Sequence, residues 1–141
     1  MTVCILGNNL TALTLAKALI NCEIDVDILH SKKIYKISDT RTIGITKNNI
    51  DFFNSNIINI EKLTWRLKKI EIFSETLNNE KLINFETGKD QLFSIIRNYK
   101  LFRLLEKDLS KNKYFKSIFI NEKNLSFLKK YKLIINCDIS N

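Results

Sequence analysis

The chain has no proline and one histidine in 141 residues, with three glycines and three cysteines. Its apolar runs all fall short of the ~18 residues that would cross a bilayer as a helix. That excludes a transmembrane helix. Met1 leads directly into a strand-like run, with no charged segment followed by a long apolar one, so no secretory leader is read and the expected location is cytoplasmic. Cys4, Cys22 and Cys137 are odd in number and form no C-x-x-C pair, which argues against a disulfide or a metal site. They are expected to be small buried hydrophobes. His30 has no evident acid–base partner and is given no catalytic role. A Ser/His/Asp set, metal-ligand spacing and a P-loop are all missing. Hydrolase, metalloenzyme and NTPase chemistries therefore have no support, and no catalytic or metal residue is assigned.

The charge is one-sided. The net charge is +8, and lysine supplies most of it, with Arg41, Arg66, Arg97 and Arg103 the only arginines. Lysine, asparagine and isoleucine share A/T-rich codons, so base composition explains the bias as well as function does. The pairs Lys32–Lys33, Lys68–Lys69 and Lys129–Lys130 are dispersed, and there is neither an Arg-rich block nor an RNP-like pattern. Specific nucleic-acid binding is not expected. Contact with an anionic membrane surface stays open.

What is present is an α/β pattern. Val3–Cys4–Ile5–Leu6 is an apolar strand run. Gly7 to Ala12 forms the turn, and apolar residues from Leu10 to Leu19 then recur at helical spacing. Ile24 to Leu29 alternates as a second strand. This is a βαβ unit, which places a pyrophosphate on a helix N-terminus. The turn reads G-x-N-x-x-A. Asn8 and Asn9 either offer side-chain amides to a phosphate or satisfy a tight turn.

Farther along, Thr46 is an N-cap for a helix through Phe53, and a helical turn is expected over Ile60 to Trp65. Lys69 to Phe73 and Lys81 to Phe85 read as paired antiparallel strands around Asn78–Asn79, with Leu82 and Phe85 inward. Leu92 to Ile96 is another apolar run, and Tyr99 to Leu109 is an amphipathic helix. Phe115 to Ile120 and Leu133 to Cys137 are closing strands, the last apolar enough for a parallel sheet interior. Trp65 and the Phe-rich runs are expected in the core. The first strand is expected between Ile24–Leu29 and Leu133–Cys137. The whole reads as one domain over 1–141, with a small antiparallel insertion at about 66–96.

In order, these segments resemble the N-terminal FAD-binding part of flavin-dependent aromatic hydroxylases, in the ubiquinone-biosynthesis branch. The matching residues are Ile5–Leu6–Gly7 with its helix, Asp39-Thr40-Arg41-Thr42-Ile43-Gly44-Ile45, Trp65 to Phe73, Leu92 to Leu105 with Asn98, and Leu133 to Asp138. The resemblance implies a Rossmann-like, glutathione-reductase-type parallel sheet with a small antiparallel piece, FAD as cofactor, and ring hydroxylation through the reduced flavin and O2. It implies cofactor contacts at Gly7, Asn9, Ala12, His30, Arg41, Arg97 and Asp138.

Asn9 stands where the family has its second glycine, His30 where it has a ribose-binding acid, and Arg97 where it has Glu or Gln. Each change weakens FAD binding. Arg41 is the strongest candidate, either facing pyrophosphate or pairing with Asp39. The resemblance covers about a third or somewhat more of a family member, so the remainder of a split hydroxylase or other ubiquinone-pathway proteins are the implied partners, near the inner membrane. The alternative is a non-catalytic Rossmann-like module that has lost FAD and acts as a scaffold. An NAD-type Rossmann protein is a weaker third reading, because the Asp39–Thr46 segment does not belong there.

Overall fold

A computed structural model describes residues 1–31, 37–76, 78, 80–86, 93–120 and 126–138. Lys32–Lys33, Asn79 and Leu92, all named above, lie outside the described residues.

Four parallel strands form the main sheet: β1 (Thr2–Leu6), β2 (Asp25–His30), and two late strands, Phe115–Phe119 and Leu133–Asn136. Numbered in chain order, the late strands are β8 and β9, and the sheet order is β8-β2-β1-β9. Val3 pairs with Val26 on one side and with Leu133 on the other. The first strand therefore sits where the sequence puts it, between the other two most apolar runs. Parallel neighbours need crossover connections, and helices supply them. α1 (Leu10–Asn21) buries Ala12, Leu13, Ala16 and Ile20, and α3 (Asn98–Leu109) buries Leu101, Phe102, Leu105 and Leu109.

Strand alternation sends Val3, Ile5, Val26 and Ile28 into the same cluster as these helix residues. The opposite face carries Cys4 and Leu29 against Tyr131, which follows the short 3₁₀ turn Ser126–Lys130. There the Tyr131 hydroxyl donates to Asp27 Oδ2 at 2.6 Å, giving a buried carboxylate a partner. Burial and that bond raise the Tyr131 phenol well above its ordinary value.

The antiparallel part is larger than a single hairpin. β3 (Thr42–Thr46) and β4 (Thr64–Leu67) flank β7 (Phe93–Arg97) in a three-stranded sheet. β5 (Lys69–Ser74) pairs with β6 (Glu80–Glu86) as a separate antiparallel hairpin, as expected. Thr46 caps α2 (Lys47–Asn56), its hydroxyl accepting from Asn49 N at 3.3 Å.

Several expectations are corrected here. The helical turn is confined to Glu61–Leu63, because Thr64 and Trp65 are drawn into the ladder with β7. Trp65 is not core but 75% exposed, on a short edge strand with nothing over that face among the described residues. Phe52, Phe73, Phe85 and Phe119 are likewise exposed, and of the phenylalanines named here only Phe102 is buried. Leu82 does not point inward. The register shifts between Ile72 and Phe73, so Ile83 and Lys81 have partners across the hairpin while Leu82 sits at the irregularity, 54% exposed. Cys4 is buried, but Cys22, at the end of α1, is exposed.

Candidate functional site

The C-terminal ends of the parallel strands bring together Gly7, Asn9, His30 and Asp138. Gly7 has φ +106°, the left-handed region that glycine alone enters freely. A Cβ there would lie 3.0 Å from Asp138 N and 3.2 Å from Asp138 Cα. The glycine is thus required by the close approach of the chain leaving β9, without reference to a ligand. Cys137 N donates to Leu6 O at 2.9 Å, and Gly7 N to Leu29 O at 2.8 Å. Asp138 is placed, not loose: its amide donates to Asn136 Oδ1 at 2.9 Å.

Asn9 decides what the turn can do. It is 7% exposed and is the N-cap of α1. Its Oδ1 accepts from Ala12 N at 2.9 Å, and its Nδ2 donates to Cys137 O at 2.5 Å. A helix N-terminus attracts anions through unpaired amides. Here the Asn9 side chain already takes one of them and ties the turn to β9. Of the two sequence readings of Asn9, the tight-turn reading describes the geometry. The signal was present: Asn is among the strongest N-cap residues. The tie to Cys137, 128 residues away, had no local signal.

His30 ends β2. Its Nε2 lies 3.0 Å from Ser117 Oγ, and its ring meets Phe119 edge-on at 6.0 Å. The ring is thus already engaged with β8. Burial raises the Cys137 thiol above its usual range. Cys4 is pushed up to about 11, by burial first and then by the Asp27 charge. Both shifts disfavour the thiolate, the reactive form of a cysteine.

Arg41 and Arg97 form a second group. Thr42 is registered opposite Arg97, and Asn98 N donates to Arg41 O at 3.0 Å, so the two residues lie at one end of the β3–β7 ladder. Both are exposed. Among the described residues Arg41 makes no ion pair with Asp39. Beside them, Asn98 Oδ1 is buried with no hydrogen-bond partner among the described residues. A buried acceptor left unpaired is a place for a donor group to enter. The first turn of α1 also borders an apolar groove of about 640 Å³, lined by Thr11, Leu15, Ile43, Gly44, Phe52 and Leu101 among others. The fit to FAD is therefore uneven: Asn98 Oδ1 has no partner among the described residues, while Asn9 already fills the first turn of α1.

No protein family's sequence pattern matches the chain, and no curated protein does. Solved structures do. p-Nitrophenol 4-monooxygenase PnpA of Pseudomonas putida aligns with a TM-score of 0.67 over 84% of this chain and 32% of its own, at 13% identity. PqsL of Pseudomonas aeruginosa, a probable FAD-dependent monooxygenase, gives 0.67 over 84% and 32%, at 14% identity. The flavin-dependent monooxygenase PieE, solved with FAD and substrate, gives 0.65 over 84% and 24%, at 13% identity.

The fold is that of part of a flavin-dependent monooxygenase. At these identities the likeness is one of fold. The chain spans between a quarter and a third of the length of these three proteins. No helix among the described residues is long and apolar enough to cross a membrane.

Proposed function

We propose that the chain is the FAD-binding segment of a flavin-dependent monooxygenase that hydroxylates an aromatic ring in ubiquinone biosynthesis. Further polypeptide, the remainder of a split hydroxylase or another protein of that pathway, completes it at the cytoplasmic side of the inner membrane. The observation that carries the reading is the sheet order β8-β2-β1-β9 with the Gly7 turn entering α1, on a fold shared with flavin monooxygenases. The ubiquinone branch rests on the sequence resemblance of the segment Asp39–Ile45 alone; in the fold this segment runs into β3, with the Arg41 carbonyl bonded to Asn98 N. Bound FAD would supply the oxygen-transfer chemistry. This chain's share is to hold the nucleotide, chiefly through Arg41, and to do so weakly when alone.

One observation favours a second reading, a non-catalytic module that has lost FAD: the Asn9 side chain occupies Ala12 N and Cys137 O. Flavin fluorescence titration of Asn9→Gly against the unmodified chain separates the two. Under the first reading the glycine frees the helix amide and raises FAD affinity about tenfold, one good hydrogen bond to a charged group. Residual binding should then fall with salt and with Arg41→Ala, while Arg41→Lys recovers only part of the loss. If Asn9→Gly folds and still binds no FAD, the scaffold reading stands.

A further inference from the structure

The opposite end of the parallel sheet carries a second hollow, of about 370 Å³. Parallel strands gather their N-terminal ends together, so the starts of β1, β2 and β8 meet there. Thr2, Asp25 and Asp27 line it, with Lys113 and Lys116 from the entry to β8 and Lys130 from the turn before β9. The lysines look dispersed along the sequence. In fact residues 111 to 132 hold seven lysines and a single acid, Glu122. The fold turns three of those lysines toward one opening.

Two of the ammonium groups are held in place. Lys113 Nζ stands 4.7 Å from the Tyr114 ring centroid, and Lys130 Nζ 4.7 Å from that of Tyr131. Both rings also line the hollow. Cation–π contact of this kind fixes a flexible side chain without neutralising it. Asp27 is already engaged by the Tyr131 hydroxyl. Among the described residues none of the three lysines forms an ion pair. Three like charges around one concavity repel each other, and an anion of high charge density relieves that repulsion. Lysine serves phosphate well as a point charge, and Thr2 adds a hydroxyl.

We propose that this hollow binds a phosphate group, carried either by a soluble phosphate compound or by an anionic lipid headgroup. The proposal is independent of the flavin reading, since the two sites lie at opposite ends of the strands. Asp25 and Asp27 keep the net charge of the lining modest and the expected affinity low.

The test is a ¹H–¹⁵N NMR titration of the full chain with inorganic pyrophosphate, alongside sedimentation with phosphatidylcholine vesicles with and without phosphatidic acid. Saturable shifts centred on Thr2, Lys113, Lys116 and Tyr131 support the site with a soluble source. Retention only on phosphatidic acid vesicles supports it with a lipid source. In either case Lys116→Gln combined with Lys130→Gln should weaken binding about tenfold or more at an unchanged melting temperature, while Lys68→Gln with Lys69→Gln should not. Shifts spread over all surface lysines, or equal losses in the two double variants, would overturn it. So would no binding to either probe. FAD affinity should be the same in both double variants, so failure here leaves the flavin reading untouched.

Discussion

The parallel sheet and the β5–β6 hairpin are built from similar-looking apolar strands and end in opposite environments. In β1, Val3, Cys4 and Ile5 are at most 2% exposed. In the hairpin, Leu82, Phe85 and Ile83 are 54%, 51% and 43% exposed. The difference lies in the connections. A parallel pair must be joined by a crossover, and the crossover helix covers the sheet. An antiparallel pair closes through a tight turn, which brings no cover with it. A strand's own residues thus ask for burial, and the topology decides whether it is delivered.

The sharpest break of this comparison is a pair of truncations. Leu105→Ala, at a fully buried position on α3, should cost about 2–5 kcal/mol in chemical denaturation. Leu82→Ala should cost less than about 0.5 kcal/mol. Equal effects would mean that the hairpin is covered in solution. Next in size is Gly7→Ala. The positive φ and the 3.0 Å approach to Asp138 N should together cost about 1–3 kcal/mol, read from the melting curve. An unchanged melting temperature would show that the chain leaving β9 does not pack on the turn.

The smallest effect lies in the hairpin. Lys81 and Lys69 hold the Glu71 carboxyl below its usual range. A lowered carboxyl contributes stability above its ordinary value and loses it as pH falls through the lowered one. Amide protection factors in β5 and β6, corrected for intrinsic exchange, should therefore fall in acid, and in Glu71→Gln this loss of protection should vanish. Because the carboxyl is exposed to solvent, the main transition should hardly move.

Legibility followed the same division. The two inner strands and both main helices could be read because burial on two faces writes itself as apolar runs and helical spacing, from Val3–Leu6 to Ile24–Leu29. Leu133–Cys137 was readable as a strand, but its expected interior place was not met, because β9 lies at the edge of the sheet with Leu133 and Ile134 exposed. Thr46 was legible because capping is a local bond. The sheet β3-β7-β4 was not, since its pairings join residues far apart in the chain, and Thr42–Thr46 is a polar-looking strand. Trp65 misled because size suggests burial, yet exposure was set by its place on an edge. At the site, the turn and its Asn9 cap were legible but the tie that fixes them was not: Asn9 Nδ2 donates to Cys137 O, at the other end of the chain.

The fold is monooxygenase-like, and the Asn9 side chain closes the turn that enters α1. Equilibrium titration of the 141-residue chain with FAD tests it most directly. Loss of two or three hydrogen bonds to charged groups, at roughly 1.5–3 kcal/mol each, predicts millimolar binding or none. Submicromolar FAD affinity for the unmodified chain would contradict it.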